Sequence, residues 1–292
     1  MMQRFIYFTL VLVMLTGCKV TDLTDPLGSH LSGPLGGLVR DTGKTADVLV
    51  EGHTELTPEQ EYYLGRGVAA TILRHYTPLY NAGANEYLNL LGQSLAQQAT
   101  GAKPINGYYF MLLDSPDANA FSAPGGFVLI TRGLVASMES EEELAAVLAH
   151  EIAHVQLRHG VDQIEFNRRM ASYEEATSSA SGKVLSSKAR SLMNQVYSDS
   201  VDSVVNTLIN KGYTSSDETA ADSAALAILD AAGYSRAALS KALSRLEARA
   251  VARGGFSGTH PALAERIAVL DSGPIPENPV RQERFEAALQ DL

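Results

Sequence analysis

The residues of this chain best suited to chemistry are His150, Glu151 and His154, which form an H-E-x-x-H pentapeptide inside an apolar segment. Residues four apart share one face of an α-helix, so the two imidazoles can converge on a single metal ion. Glu151 points about a quarter turn away from that face. Its carboxylate is therefore placed to take a proton from a water molecule beside the metal, which is the general-base role in metal-assisted hydrolysis.

A catalytic zinc site usually has three protein ligands and a fourth position for water, so two histidines leave it incomplete. Further along the chain, Glu218 and Asp222 have the same four-residue spacing in a helix predicted over residues 218–232, with Gly233 as its stop. Asp222 is expected to accept a hydrogen bond from the free ring nitrogen of a zinc histidine, with His150 as its partner. Such a bond fixes the tautomer and the orientation of the imidazole.

The helix that carries the pentapeptide is predicted to enter the core. Ser140 and Glu143 have the spacing of a capping box at its start. Its apolar face consists of Leu144, Val147, Leu148, Ile152 and Val155. Buried ionisable groups need a partner, and a metal provides one, whereas hydrogen-bonded histidines at the surface would not need this apolar face. Structural zinc sites favour cysteine, so the sequence predicts one catalytic Zn²⁺ per chain.

From His150 to Gly160 the sequence resembles the active-site helix of the gluzincin zinc metallopeptidase family that contains the CAAX prenyl endopeptidase and HtpX-type proteases. The segment from Glu218 to Asp222 is similar to the family's Glu-x-x-Ala-Asp, and the resemblance implies that Glu218 is the third zinc ligand. Ser215 stands where members often carry Arg, so no role is carried over for that Arg, and Ser215 is predicted instead to cap its helix. The resemblance covers about residues 56–271. Its other segments are Asn119-Ala120-Phe121, Pro124 to Leu134, Ala232-Gly233-Tyr234, Thr259-His260-Pro261 and Glu265-Arg266-Ile267.

The predicted fold is α+β and predominantly α-helical, a zincin-like (gluzincin) domain with a small β-sheet beside the active-site helix. Thr57-Pro58-Glu59-Gln60 is a helix-opening signal with proline at the first helical position. Further elements follow from the apolar periodicity. The predicted helices also include about 58–75, 85–99, 235–253 and 262–270, and the strands are 108–113 and 127–131.

Two further segments are expected beside the metal. By the resemblance, Asn119, Ala120 and Phe121 mark the sheet edge, where backbone hydrogen bonds would hold an extended substrate. His260 lies in the loop before the last predicted short helix. If that loop folds over the cleft, His260 either hydrogen-bonds the tetrahedral intermediate, as a catalytic residue, or occupies the open zinc position and keeps the enzyme inactive. The alternative is a structural cap for the last helix.

The N-terminal residues indicate a location. Arg4 and an apolar run over residues 5–15 precede Leu15-Thr16-Gly17-Cys18, which resembles the lipobox of a bacterial lipoprotein. Cys18 is the only cysteine, and its placement predicts that it carries the lipid. Because Lys19 rather than Asp follows it, the sequence favours the outer membrane, facing the periplasm.

The predicted organisation is a signal peptide at 1–17, a lipidated N-terminus and flexible tether at 18–56, and a zinc metallopeptidase domain at 57–292. A polar helical insertion at about 161–212 is expected either to cover the cleft or to form a solvated hairpin. The net charge of -10 argues against nucleic acid as a partner. No 34-residue repeat is visible, so the resemblance is to periplasmic BepA-like and LoiP-like lipoproteins without a tetratricopeptide-repeat domain.

The sequence as a whole predicts a membrane-anchored zinc metalloendopeptidase, a hydrolase of unfolded or misassembled cell-envelope proteins. This quality-control role is implied by the resemblance alone. The alternative is a non-proteolytic periplasmic chaperone or assembly factor that uses a zinc domain to bind extended polypeptide. Glu151 argues against that alternative, because a pure binder has no need for a base beside the metal.

Overall fold

The computed structural model describes residues 55–101, 103–162, 164–165, 201–253, 256–290 and 292. The predicted signal peptide at 1–17, nearly all of the tether at 18–56 and most of the insertion at about 161–212 lie outside these residues. The chain divides into two units, and the described residues belong to the one that consists of Glu55–Phe166 and Asn194–Leu292.

The first two helices begin at polar side chains that cap their free N–H groups. Helix α1 spans Pro58–Ile72, and the side chains of Thr57 and Gln60 each accept a hydrogen bond from the other residue's backbone N–H. Helix α2 spans Ala82–Ala96 and begins after Asn81, whose side chain caps the first turn. Both predicted helices are confirmed, but the prediction places α2 three residues too far along the chain because it overlooks Asn81 as the cap.

Three strands form a small sheet beside the helices. They are β1, Tyr109–Leu113, β2, Ala120–Ala123, and β3, Phe127–Thr131. Strand β3 lies in the middle, parallel to β1 and antiparallel to β2. The turn from β2 to β3 requires glycine at Gly126, because its φ is 93° and a Cβ there would lie 2.4 Å from the Gly107 carbonyl oxygen. The two predicted strands are thus the inner strand and one edge, and β2 is the other edge.

Helix α2 closes the free edge of β1 with three side-chain amides. Asn85, Asn89 and Gln93 bond in that order to the backbone of Leu112, Phe110 and Tyr108, at 3.3, 2.8 and 2.6 Å. The spacing matches because four residues rise about 6 Å along a helix and two residues about 6.6 Å along a strand. An unpaired strand edge invites pairing with another chain, so these amides protect β1 and leave β2 as the edge near the predicted site.

The pentapeptide lies in a helix that is buried along most of its length. The helices after the sheet include α3, Arg132–Val135, α4, Glu141–Gln156, α5, Ser215–Ala232, α6, Ala237–Arg253, α7, Phe256–Thr259, α8, Leu263–Val269, and α9, Pro279–Leu289, and a π-helical turn at Thr207–Lys211 precedes α5. Helix α4 contains the pentapeptide and packs against α5, α6, α2 and strand β2. All of its residues from 141 to 155 are buried, which confirms that this helix enters the core. None of the helices in the described part of the chain has the length and apolar composition that crossing a bilayer requires.

The start of α4 differs from the predicted capping box. Ser140 does accept a hydrogen bond from Glu143 N, at 3.3 Å. The Glu143 carboxylate, however, accepts from Glu139 N and pairs with Arg245 of α6 instead of returning to Ser140. The reciprocal half of the box is therefore absent, because the Glu143 carboxylate reaches one residue further back, to Glu139 N, and is held there by Arg245.

The start of α5 also differs from the prediction. Thr214, and not Ser215, caps the helix, and its capping-box partner is Asp217. The box lies one residue earlier than the predicted one. This shift leaves Glu218 outside the box and lets its carboxylate turn toward α4.

Helix α9 is absent from the predicted elements, and charge attaches it to the domain. Phe285 is its one buried residue. Arg284 pairs with Glu141 and Arg281 pairs with Glu142, two carboxylates that are buried at the start of α4. These ion pairs supply counter-charges to the two buried carboxylates, so α9 supports the position of the pentapeptide helix.

Candidate metal centre

Helices α4 and α5 bring the predicted ligands together. His150 Nε2 and His154 Nε2 lie 3.0 Å apart, as expected for residues one helical turn apart. Glu218 approaches from α5, with Oε2 3.4 Å from His150 Nε2 and Oε1 3.5 Å from His154 Nε2. His260, from the loop between α7 and α8, completes a group of four whose ligand atoms all lie within 4.8 Å of one another. All four side chains are buried.

Several buried polar atoms at this centre have no hydrogen-bond partner among the described residues. They include Glu218 Oε1, His260 Nε2 and both carboxylate oxygens of Glu151. An unpaired buried polar atom costs about 1–3 kcal/mol, so such a cluster calls for a physical cause. Imidazoles together with one carboxylate are the donor set of a catalytic zinc site. The residues therefore fit a metal ion, which would satisfy donors that the protein leaves unpaired.

Glu151 is ionised at neutral pH. It is fully buried, and its Oε1 lies 3.4 Å from His260 Nε2. Burial raises the pKa of Glu151, but His260 and His150 outweigh the burial and lower this pKa below its ordinary value. A carboxylate in this state is ready to accept a proton, as the base predicted at this position must be.

Each of the two α4 histidines has a different partner at its outer ring nitrogen. His150 Nδ1 lies 3.1 Å from Asp222 Oδ1, the pairing that the sequence predicts. Burial raises the pKa of Asp222, but His150 and Arg266 outweigh it and lower this pKa to about 2, so the carboxylate is charged. His154 Nδ1 lies 2.8 Å from His159 Nδ1. With Nε2 directed at a metal, His154 would donate its Nδ1–H to His159, which fixes its tautomer.

Tyr213 is a further residue at the centre that sequence reasoning does not find. Its ring stacks on that of His154, with centroids 4.3 Å apart and planes inclined by 16°. Its hydroxyl donates a hydrogen bond to Ser122 O at 3.4 Å. Burial raises the pKa of Tyr213 above its usual range, so the hydroxyl stays protonated and remains a donor. Tyr213 therefore links a predicted metal ligand to strand β2.

The predicted substrate-binding segment lies at the start of β2. Asn119 precedes the strand and Ala120 and Phe121 open it, and all three are buried. The Asn119 side chain accepts hydrogen bonds from Ala120 N at 2.9 Å and from the hydroxyl of Thr259 at 3.1 Å. The segment is thus at a sheet edge, but its side chains are engaged by the protein itself.

The outer edge of β2 is occupied by other parts of the same domain. Asn119 O accepts a hydrogen bond from Thr131 N, at the end of β3. Because backbone groups alternate in direction along a strand, those of Ala118 and Ser122 face away from the sheet. Ala118 O accepts from Phe256 N at 2.8 Å and Ser122 O accepts from the Tyr213 hydroxyl. An extended peptide can pair with β2 only if these contacts give way.

His260 does not cap helix α8, which the sequence left open as the alternative to a role at the metal. Helix α8 begins after Ala262, which has a φ of 61° and provides no side-chain cap, and His260 does not reach the helix start. The His260 ring instead stacks on Phe256 at a centroid distance of 3.9 Å, and its Nδ1 lies 3.0 Å from the Thr259 hydroxyl. These contacts direct Nε2 toward Glu151 and the ligand group.

Residues 83–273 of this chain match the model of peptidase family M48. A Vibrio cholerae protein named as a candidate beta-barrel assembly-enhancing protease is 33% identical over 198 residues, which are 65% of this chain and 38% of that relative. The beta-barrel assembly-enhancing protease of Yersinia pestis is 31% identical over 153 residues, 51% of this chain and 30% of that relative. Metalloprotease LoiP of Escherichia coli is 27% identical over 180 residues, 61% of this chain and 66% of that relative. The match thus spans well under half of the length of the two assembly-enhancing proteases.

Proposed function

Since this chain belongs to peptidase family M48, we propose that it is a zinc-dependent endopeptidase that acts on proteins of the bacterial cell envelope. The observation that carries the proposal is the buried group of His150, His154 and Glu218, with the fully buried carboxylate of Glu151 beside it. Burying an ionised carboxylate is costly, so its presence here favours a base that awaits a reactant.

The chain's own residues support a hydrolytic mechanism. His150, His154 and Glu218 would hold one Zn²⁺. When bound, the ion supplies a Lewis acid for the scissile carbonyl and lowers the pKa of water. Glu151 accepts the proton of the attacking water and later delivers it to the leaving amine. Its lowered pKa keeps it in the ionised form that the first of these steps needs.

The proposed substrate class rests on binding of peptide at the edge of β2. Once the contacts that Phe256 and Tyr213 make with this edge give way, an extended peptide would bind there through backbone hydrogen bonds, which read little of its side-chain sequence. Unfolded and misassembled proteins offer such extended segments, and folded ones do not. Two relatives are named for beta-barrel assembly, which supports envelope proteins as substrates. The lipobox-like residues up to Cys18 support a lipid anchor in the outer membrane, with the enzyme facing the periplasm.

The test is a paired measurement of zinc content and of casein cleavage by the chain without its predicted signal peptide. One zinc per chain together with cleavage supports the peptidase. Bound zinc without cleavage, in a protein that still captures unfolded casein, would favour the chaperone alternative. For the anchor, Cys18→Ser should move the protein from the membrane fraction to the soluble fraction, and unchanged membrane association would contradict lipidation.

His260→Ala is expected to raise the rate of casein cleavage by about tenfold or more. His260 Nε2 joins the three other ligand atoms within 4.8 Å, and four protein ligands would leave no open position for water. If the form in which His260 has left the metal position has a population of about 1–10%, removal of His260 makes that form the major one. The alternative, in which His260 stabilises the tetrahedral intermediate, requires the opposite result, a loss of about 10²–10³-fold. Initial rates at equal zinc content decide between the two.

A further inference from the structure

We propose that Arg266 is a positioning residue of the metal centre, which holds the Glu218 carboxylate so that a single oxygen faces the ion. The inference rests on the proposed zinc peptidase function. It concerns a residue that neither contacts the reacting atoms nor has the chemistry of a zinc ligand, since a guanidinium has no lone pair to offer.

Arg266 of α8 contacts two acidic residues of α5 at once. Its Nε donates to Asp222 Oδ2 at 2.8 Å and its Nη2 donates to Asp222 Oδ1 at 2.7 Å, a bidentate pair. Its Nη1 donates to Glu218 Oε2. The side chain is 3% exposed, so water does not compete for these hydrogen bonds. Arg266 therefore fixes Glu218 directly, and it fixes His150 through Asp222, whose Oδ1 lies 3.1 Å from His150 Nδ1.

The pairing decides which oxygen of Glu218 remains available. Both oxygens lie near a histidine, Oε2 3.4 Å from His150 Nε2 and Oε1 3.5 Å from His154 Nε2. Only Oε2 accepts a hydrogen bond from Arg266, whereas Oε1 has no hydrogen-bond partner among the described residues and is the oxygen left for the ion. A freely rotating carboxylate would present either oxygen or both. The rigid fork of a guanidinium can hold two carboxylates in fixed relative orientation, and the point charge of a lysine cannot.

The charge balance of the site also supports a role for Arg266. Glu151, Glu218 and Asp222 together bring three negative charges into the domain interior, where all three are buried. A zinc ion supplies two positive charges and Arg266 supplies the third, so the loaded centre is neutral. A buried charge without a counter-charge is strongly destabilising, which explains why an arginine is buried next to a cation site.

The test measures zinc affinity directly and does not depend on cleavage. The chain without its signal peptide is titrated with zinc in competition with a chromophoric chelator, at a temperature well below unfolding. Arg266→Gln should weaken zinc binding by about 10–100-fold, the usual effect of removing a residue that orients a ligand. Arg266→Lys keeps the charge but loses the fork, so it should also weaken binding. Arg236→Gln removes an arginine from an exposed ion pair with Asp230 and should leave the affinity unchanged.

The cobalt(II) absorption spectrum provides a second readout, because it reports the geometry around the ion. Arg266→Gln should change this spectrum, since Glu218 would no longer present one fixed oxygen, whereas Arg236→Gln should not. Zinc affinity in Arg266→Gln and Arg266→Lys equal to or tighter than that of the parent chain, with an unchanged cobalt spectrum, would overturn the inference. If Arg266→Gln does not fold, Arg266→Lys alone carries the test. A parent chain that binds no zinc would overturn the proposed function itself, and an affinity loss confined to Arg266 variants cannot be mistaken for that outcome.

Discussion

Glu151→Gln is expected to reduce casein cleavage by about 10²–10⁴-fold, the contribution of a general base, while zinc remains bound. The amide has nearly the same size as the carboxylate, so the α4 backbone and the ligands His150 and His154 keep their places. It cannot accept a proton, however.

The measurement pairs initial cleavage rates with metal analysis on the same samples. Glu86→Gln makes the same chemical change at an exposed helical position and should leave both quantities unaltered. Cleavage that persists in Glu151→Gln at full zinc content would contradict the assignment of the base. A variant that has lost cleavage but still restores every function in a deletion strain would instead favour a protein that binds polypeptide without cutting it.

The ligands on α4 can be predicted from the sequence because a single helix sets their geometry. A spacing of four residues places His150 and His154 on one face, and no knowledge of the tertiary fold is needed. Glu218 follows His154 by 64 residues, and only the packing of α5 against α4 brings them together. The spacing of Glu218 and Asp222 indicates a shared helix face, but the family resemblance was needed to direct that face at the metal.

The residues that sequence reasoning misses contact the centre through irregular or tertiary structure. His159 lies five residues after His154, a spacing that a continuous helix would place on another face. Helix α4 ends at Gln156, and Arg158 at a φ of 60° turns the chain so that His159 returns to His154. Tyr213 comes from a distant segment and has no ligand-like spacing to another residue. Arg266 lies in a segment of the family resemblance, but no spacing in the sequence indicates its contacts with Glu218 and Asp222.

Helix α9 shows why the spacing of apolar residues does not predict every helix. A pattern-based prediction seeks an apolar face, and this helix buries only Phe285. Its start does carry a local signal, because Asn278 caps the first turn and Pro279 occupies the first helical position. The energetic reason for its attachment lies in Glu141 and Glu142, more than a hundred residues earlier, whose burial only the tertiary structure reveals.

Removal of zinc by a chelator is expected to abolish cleavage completely, and zinc or cobalt should restore it. Removal of zinc should also change the protonation of the histidine ligands. Burial lowers the pKa of His150, but the carboxylates of Asp222 and Glu218 outweigh the burial and raise this pKa to about 9 in the metal-free protein. Burial holds the pKa of His154 well below its usual value, so that histidine is already neutral.

Zinc binding must therefore displace one proton from His150 at neutral pH, because a ligand nitrogen has to be deprotonated. Below a pH of about 9 the proton competes with the metal, so the apparent zinc affinity should rise about tenfold per pH unit from pH 6.5 to 8.5 and level off above about 9. Calorimetry in buffers with different ionisation enthalpies should give about one proton released per zinc at pH 7.5. Asp222→Asn removes the first of the two carboxylates that raise the pKa of His150, so its affinity should level off at a lower pH. An affinity independent of pH across this range would mean that His150 is neutral in the empty site, and that its carboxylate neighbours do not set its charge.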